Sequence, residues 1–171
     1  MEPPDAKREL RKRMRTLRRD IAADPEDRTR RSQRISERVV AVLASRHGDR
    51  TPTGRRLMVY VPLVGEPDLA PLRQWAEANR WHLFVPEVDG TDLRVEPGDI
   101  DPATLDVVVV PGLAFTRDGH RLGQGGGHFD RFLTRLAPDA LTIGVAFHEQ
   151  LVERLPVEAH DVALDVVVSD D

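Results

Sequence analysis

Residues 106–133 read DVVVVPGLAFTRDGHRLGQGGGHFDRFL, and this stretch decides the fold class. Its first five residues, Asp106–Val110, show no polar alternation, which indicates a strand buried on both faces, as in a parallel sheet. A long polar loop follows, and the pattern then predicts a helix over roughly His128–Leu136. The stretch therefore predicts a strand–loop–helix unit of an α/β fold.

Short apolar runs and helical periodicity alternate on both sides of this stretch. Strands are predicted at Leu57–Val61, Trp81–Val85, Leu141–Phe147 and Leu164–Val168. Helices are predicted at Lys7–Ile21, from an N-cap at Asp24 to near Gly48, at Asp68–Asn79 and at Glu149–Leu155, whereas residues 48–54 and 87–104 have the composition of loops. The alternation predicts one domain over residues 1–171, a three-layer α/β/α fold with a mostly parallel sheet. Such sheets bind ligands beyond the carboxyl ends of their strands.

Four glycines lie directly before the predicted helix at His128: Gly123, Gly125, Gly126 and Gly127. Glycine adopts positive φ and lets a ligand approach the backbone closely. The helix N-terminus adds free N–H groups that favour anions, and Arg121 is placed to pair with a phosphate at the edge of the loop. The loop has neither the Lys-Ser/Thr ending of a Walker A loop nor the GxGxxG spacing of a dinucleotide fold. A phosphate cradle is one interpretation, and a flexible connector is the other.

Composition narrows the class of protein. Cysteine is absent, which excludes disulfides, thiol nucleophiles and cysteine zinc sites. The chain has no apolar run near twenty residues and no apolar stretch after its first charges, so we expect a cytoplasmic protein that does not span a membrane.

The charge is distributed unevenly along the chain. Residues 1–56 hold 17 Lys and Arg against 9 Asp and Glu, whereas residues 57–171 hold 8 against 20. A basic N-terminal third attracts anionic ligands, so nucleic acid and nucleoside triphosphate are both candidates. Eight of the basic residues lie in Lys7–Arg19, which without further information also fits a solvated helix face. Too few aromatic residues accompany them for a base-stacking platform.

Four motifs occur in a fixed order along the chain. They are Lys7-Arg8-Glu9-Leu10-Arg11; Tyr60–Asp68 (YVPLVGEPD); Pro111–Phe115 with Gly119–Gly123 and Gly125–Asp130; and Gly144–Phe147, Gln150, Leu155-Pro156 and His160-Asp161. In this order they resemble the 5-formyltetrahydrofolate cyclo-ligase family, also called methenyltetrahydrofolate synthetases. The resemblance covers nearly the whole chain. It implies a fold of the NagB/RpiA/CoA-transferase-like type.

The resemblance also implies an activity. The family converts 5-formyltetrahydrofolate and ATP, with Mg²⁺, into 5,10-methenyltetrahydrofolate, ADP and phosphate. The partners implied are therefore ATP and a reduced folate, in a protein expected to be a monomer, and nucleic acid is not an expected partner.

The resemblance also implies site residues, which are assigned here by their positions in the family's motifs. The ATP-binding set implied is Lys7, Arg8, Arg11, Arg121, Leu122, Gly123, Gln124, Gly125, Gly126, Gly127, His128 and Phe129. The substrate-binding set is Val61, Glu66, Gln124 and His128, and the metal-binding aspartates are Asp130 and Asp161. Glu66 is expected to accept hydrogen bonds from the N–H groups of the pterin.

The chain departs from the family's pattern on the folate side. His128-Phe129 replaces a Tyr-Tyr pair, and the stretch Pro86–Leu105 is short and holds no Trp or Met. We therefore expect weaker binding of the folate than in longer relatives. Two alternatives to the cyclo-ligase stay open here: an ATP-dependent enzyme on another formyl or pterin compound, and a non-catalytic nucleotide- or RNA-binding relative.

Overall fold

The computed structural model describes residues 3–47 and 53–171. Its helices are α1 (Pro3–Ala22), α2 (Pro25–His47), α3 (Ala70–Ala78) and α4 (His128–Leu133). Its strands are β1 (Arg56–Met58), β2 (His82–Asp89), β3 (Asp92–Glu96), β4 (Val107–Val110), β5 (Ala114–Phe115), β6 (Arg121–Leu122), β7 (Leu141–Ala146) and β8 (Val166–Ser169). Single 3₁₀ turns lie at Pro102–Thr104 and His148–Gln150.

Six strands form the central sheet in the order β3-β2-β1-β4-β7-β8. All neighbours are parallel except β3, which pairs antiparallel with β2 at one edge. The chain moves outward from β1 in one direction through β2 and in the other through β4, so the strand order reverses between β1 and β4. In open α/β sheets, this reversal leaves a crevice at the carboxyl ends of the two strands.

The sheet is buried on both faces, which explains the unbroken apolar run of β4. On one face α2 and α3 pack through residues such as Val39, Leu43 and Leu72 against Val107 and Val109. The opposite face, through Val108 and Val110, is covered by α4 and by the strand β5. The mostly parallel α/β fold is thus confirmed, and the second covering layer is thin because α4 has only six residues. The NagB/RpiA/CoA-transferase-like label stays an implication of the resemblance.

Local capping explains where α2 begins. The Asp24 carboxylate accepts a hydrogen bond from the backbone N–H of Asp27 at 3.0 Å, and Pro25 occupies the first helical position. Both features are those expected from the sequence. The expected end of this helix near Gly48 lies outside the described residues. No helix in the described ranges has both the length and the apolar content needed to cross a membrane.

Three sequence predictions about elements are wrong. The loop expected over 87–104 contains the end of β2 and all of β3, because Gly90 turns the chain at φ +60° and Leu93 and Val95 alternate inward with period two. The helix expected at Glu149–Leu155 is only the short 3₁₀ turn at His148–Gln150. The polar loop after β4 holds a small hairpin of β5 and β6.

Candidate active site

A cleft of about 460 Å³ opens at the carboxyl ends of β1 and β4, where the strand order reverses. Several separate segments meet there: α1, the turn after β1, the β2–β3 hairpin, the end of β4, and the chain from β6 into α4. The segment before β8 completes the wall with Glu158, His160 and Asp161. The cleft therefore lies where this fold class is expected to bind ligands.

The basic helix α1 contributes two cations to the cleft, Lys7 and Arg11. They are four residues apart and so share one face of the helix. Lys7 is buried, and its Nζ lies 2.9 Å from Asp161 Oδ2 and 3.1 Å from Glu158 Oε2. The Arg11 Nε donates to the carbonyl oxygen of Gly123 at 3.1 Å.

Arg8 is a correction to the predicted set. Its side chain is 81% exposed and pairs with Asp5 on the same helix at 2.8 Å. Consecutive helical residues are about 100° apart around the axis, so Arg8 cannot face the cleft when Lys7 does. Arg8 therefore occupies the expected position in the sequence motif, but its side chain does not point into the cleft.

The carboxylates around Lys7 control its charge. Burial acts to lower the pKa of Lys7, but its hydrogen bonds to Asp161 and Glu158 outweigh burial and raise the pKa above its ordinary value. Burial likewise acts to raise the pKa of Asp161, and the backbone N–H of Glu158 and the Lys7 ammonium outweigh it and lower that pKa. Lys7 and Asp161 are therefore both charged at neutral pH.

Arg121 is held by β6 at the base of the cleft. Its side chain is 4% exposed, and its Nη2 lies 3.1 Å from Asp130 Oδ1. The guanidinium also stands 5.7 Å from the centre of the Phe129 ring, within cation–π range. Burial lowers the pKa of Arg121, with partial compensation from Asp130 and Asp161. Within the described part of the chain, its buried Nε has no hydrogen-bond partner.

The glycine-rich loop, which runs from Gly123 through Gln124 to Gly127, lines the cleft together with Leu122 before it and Phe129 after it. Gly125 has φ +113°, and Gly127, directly before α4, has φ +66°. A Cβ on Gly125 would lie 3.6 Å from the guanidinium carbon of Arg11, so the loop passes directly beside that cation. Only glycine holds such a backbone without strain.

The loop and α4 are fastened to the β2–β3 hairpin. The His128 Nε2 lies 3.2 Å from the carbonyl oxygen of Gly90. The Arg131 Nε donates to the Thr91 carbonyl at 3.0 Å, and its Nη2 donates to the Gly126 carbonyl at 2.8 Å. The glycine-rich loop and the hairpin turn therefore form one connected rim.

The cleft is also lined by apolar side chains and by one buried acid, Glu66. Its walls include Val61 and Leu63 from the turn after β1 and Val88 and Leu93 from the hairpin. Val61, Leu63 and Val88 are more than half exposed, so this apolar surface is open to a ligand. Burial raises the pKa of Glu66, opposed by the Leu63 N–H and then by two nearby arginines.

The two predicted metal-binding aspartates both line the cleft but have different neighbours. Asp130 pairs with Arg121. Asp161 instead lies beside Glu158 and His160, and the carboxylate oxygens and ring nitrogen that could bind a metal lie within 4.8 Å of one another. The sequence prediction did not include Glu158. Its signal was weak, since an acid three residues before another is common in turns. The backbone N–H of Glu158 donates to Asp161 at 2.8 Å, which brings the two together.

The structure brings together all but one of the predicted site residues, and Arg8 is the exception. The sequence analysis did not identify the apolar wall. The run Val61–Val64 carried a signal for it, because apolar residues in an exposed turn are unusual. Val88 and Leu93 gave no such signal, because the sequence predicts a loop for their segment.

The fold and the cleft define a doubly wound α/β protein whose cleft at the strand ends is lined by a glycine-rich loop, by charged side chains of both signs and by apolar residues. A sequence model of the 5-formyltetrahydrofolate cyclo-ligase family matches residues 96–170. The 5-formyltetrahydrofolate cyclo-ligase of Mycolicibacterium smegmatis is 30% identical over 144 residues, which cover 68% of this chain and 74% of that protein. This chain belongs to the 5-formyltetrahydrofolate cyclo-ligase family.

Two further comparisons describe the extent of the likeness. The mouse 5-formyltetrahydrofolate cyclo-ligase is 36% identical over 95 residues, which are 53% of this chain but only 45% of the mouse protein. The structure of a 5,10-methenyltetrahydrofolate synthetase from Mycoplasma pneumoniae superposes with a TM-score of 0.84 at 25% identity. That superposition covers 96% of this chain and 99% of the other. The family likeness thus extends over nearly the whole fold.

Proposed function

We propose that this chain converts 5-formyltetrahydrofolate and ATP into 5,10-methenyltetrahydrofolate, ADP and phosphate. The observation that carries the proposal is that two unlike sets of residues line one cleft. One set is a glycine-rich loop with three cations and three carboxylates, and the other is apolar with the buried carboxylate of Glu66. Both substrates of the reaction must meet in one site, because a phosphoryl group passes directly between them.

The glycine-rich loop and its neighbouring cations suit the triphosphate. Lys7 and Arg11 line the cleft from α1 and Arg121 from β6, and the loop lies beside both arginines. Phosphoryl transfer depends mainly on positioning and on neutralising charge that moves to the leaving group. These three cations and the backbone N–H groups of the loop provide both without an acid–base group.

The apolar lining suits the folate. Val61, Leu63 and Val88 provide exposed surface for the pterin and aminobenzoyl rings, and Glu66 is an acceptor in the same cleft. The short Pro86–Leu105 stretch predicted few apolar residues around the folate, yet the hairpin in this stretch contributes to the apolar lining of the cleft. Weak folate binding relative to longer relatives remains a prediction.

The chemistry consists of two displacements. The formyl oxygen attacks the γ-phosphorus, and the bond to ADP breaks. N10 then attacks the former formyl carbon, phosphate leaves with the formyl oxygen, and N10 loses its proton. The phosphorylated formyl group is prone to hydrolysis, so the apolar wall also serves to keep water from it.

Mg²⁺ is the proposed metal, and the residues fit it in part. Asp130 and Asp161 are hard oxygen donors in the same cleft as the cations that would bind phosphate, and such carboxylates suit Mg²⁺ when it also binds phosphate oxygens. Glu158 adds a third carboxylate beside Asp161. The metal would supply charge neutralisation at the phosphates. Lys7 pairs with Asp161 and Glu158, so a metal held by these carboxylates would compete with this lysine for them.

The decisive experiment is turnover by the purified chain. With ATP, Mg²⁺ and 5-formyltetrahydrofolate, we expect methenyltetrahydrofolate and ADP to form in a one-to-one ratio. Lys7→Ala and Arg11→Ala should each weaken ATP binding by about 1.5–3 kcal/mol, the value of a charge-assisted contact, whereas Arg8→Ala should leave it unchanged. ATP bound without methenyltetrahydrofolate formation would instead support one of the alternatives, another substrate or a non-catalytic relative.

Three sequence predictions accompany this proposal. They are a cytoplasmic location, a monomeric state and no affinity for nucleic acid. Light scattering of the purified chain tests the second. The third is tested by titration with a fluorescent oligonucleotide at physiological salt, because such affinity depends on salt.

A further inference from the structure

Three of the eight basic residues in Lys7–Arg19 point inward, and only two of them reach the cleft. The third is Arg18, which is buried while the basic residues next to it in the helix, such as Arg15 and Arg19, are exposed. At about 100° per residue, Lys7, Arg11 and Arg18 lie within roughly 40° of one another around the helix axis. They form one cationic stripe along α1.

The Arg18 side chain ends on Glu66. Its Nη2 lies 3.2 Å from Glu66 Oε1, and the two side chains are 7% and 5% exposed. Arg18 is itself held in place, because its Nε and Nη2 donate to the Val64 carbonyl at 3.2 and 2.8 Å. The other carboxylate oxygen, Oε2, accepts the N–H of Leu63 at 2.8 Å. Both oxygens of Glu66 are therefore fixed in direction.

The turn that carries Glu66 also rests on the backbone of α1. Gly65 has φ +75°, and a Cβ at that position would lie 2.1 Å from the carbonyl oxygen of Arg18. The turn is closed by a hydrogen bond from the Glu66 N–H to the Leu63 carbonyl at 3.0 Å. The orientation of Glu66 is thus set by α1 and not by the turn alone.

We propose that Arg18 is a positioning residue for the folate: it aims the Glu66 carboxylate and, through α1, fixes the distance between the folate subsite and the phosphate subsite. Lys7 and Arg18 are eleven residues apart, which is roughly 16 Å along a rigid helix. One helix therefore contacts both substrates, at one end directly and at the other through Glu66. This inference rests on the proposed function, in which Glu66 binds the pterin.

The charge of Glu66 gives the proposal a distinct pH signature. The groups that face it are Arg18 from α1, Arg28 from α2, whose Nε donates to the Glu66 carbonyl at 2.9 Å, and buried Tyr60 beyond β1. Burial already raises the pKa of Glu66, and Arg18 opposes that rise. Removing Arg18 raises the pKa further, and a protonated Glu66 binds the pterin N–H groups less well. The acid limb of kcat/KM for the folate should therefore move to higher pH.

The test compares Arg18→Met with Arg19→Met, an exposed arginine on the same helix. Arg18→Met should raise the KM for 5-formyltetrahydrofolate about ten- to hundredfold, move the acid limb upward, and leave the Kd for ATP within about twofold. Arg18→Lys should restore part of the folate affinity, since it restores the charge without the paired donation to Val64. Turnover by the unmodified chain reports on the proposed function separately.

A double variant keeps the test independent of folding. Arg18→Met leaves a buried carboxylate without its partner and can lower stability, whereas Arg18→Met with Glu66→Gln removes both charges. If Arg18 acts through Glu66, adding Arg18→Met to Glu66→Gln should change the folate KM by less than about twofold. An equal loss of ATP and folate affinity, or a folded Arg18→Met protein with the KM and pH profile of Arg19→Met, would overturn the proposal.

Discussion

The backbone of Gly125 shows how one residue shapes the proposed phosphate subsite. Its φ of +113° is one that residues with a side chain rarely adopt, and the guanidinium of Arg11 lies beside it. A Cβ there meets Arg11 at ordinary contact distance, so the strain lies in the backbone and not in a collision. Any substitution should therefore distort the loop where we place the phosphates.

Gly125→Ala should raise the KM for ATP about tenfold or more, because the loop must leave its present backbone conformation to accept a Cβ. The matched control is Gly98→Ala, at φ +93° on a turn that does not line the cleft. Both changes should lower the melting temperature by similar small amounts. Equal ATP kinetics in the two variants would show that the loop is only a connector.

A second residue-scale prediction concerns the carboxylates of the proposed metal site. Asp130→Asn and Asp161→Asn should each raise the Mg²⁺ concentration needed for half-maximal activity, because an amide is a weaker ligand than a carboxylate. Asp118→Asn, on an exposed turn outside the cleft, serves as the control. Magnesium titrations of the two site variants that match the control would remove these aspartates from the metal site.

At the scale of elements, the β2–β3 hairpin contributes apolar lining to the cleft and also contacts the glycine-rich loop. Its strands present Val88 and Leu93 to the cleft, while its turn is fastened to the glycine-rich loop by His128 and Arg131. Leu93 is buried and belongs to the core, whereas Val88 is 63% exposed. Val88 is therefore the wall residue whose change should affect binding without affecting stability.

Val88→Ser should raise the KM for 5-formyltetrahydrofolate several-fold, since apolar contact is worth about 25 cal/mol for each Å² covered. Its control is Val157→Ser, another valine that is exposed but does not line the cleft. Steady-state kinetics with both substrates varied provides the measurement. An unchanged folate KM in Val88→Ser would mean that the rings bind elsewhere.

At the scale of the whole molecule, a buried ion cluster anchors α2 to the carboxyl edge of the sheet. Arg31 pairs with Asp170 after β8 and with Glu149 after β7, and its guanidinium lies 4.7 Å from the centre of the Phe147 ring. Burial acts to raise the pKa of Asp170, but Arg31 and the His148 N–H outweigh it and lower that pKa. Because the folded-state pKa is lowered, this stabilisation is fully present above the ordinary aspartate pKa and is lost as the pH falls from there through the lowered pKa.

Arg31→Met should lower the free energy of unfolding by about 3–5 kcal/mol near neutral pH, mainly because it leaves the buried Asp170 carboxylate without this partner. The difference from the unmodified chain should shrink as the pH falls. The unpaired carboxylates of the variant take up protons first, and the paired ones, whose pKa Arg31 lowers, do so only at lower pH. Arg30→Met, an exposed neighbour on α2, is the control and should cost less than about 1 kcal/mol. Urea unfolding across this pH range measures both, and a pH-independent loss would contradict the assignment.

The sequence by itself determined the features that depend on neighbouring residues. The buried strand Asp106–Val110, the Asp24 cap and the glycine-rich loop all follow from local composition and spacing. The structure confirms the strand and the cap, and in it the loop lines the cleft. The position of Lys7 and Arg11 on one face of the helix follows from the helical period alone. The roles of these residues toward ATP, folate and metal stay predictions until the variants are measured.

Only the tertiary structure decided which distant residues meet. Lys7 and Asp161 are 154 positions apart, and Arg18 reaches the turn at Val64 across 46. The placement of Val88 in the cleft depends on the antiparallel pairing of β2 with β3 at the sheet edge. Arg8 was misassigned because a sequence motif gives the order of residues but not the direction in which each side chain points. Contacts of this kind depend on how the strands pair and how α1 packs across their ends, and no local period encodes either.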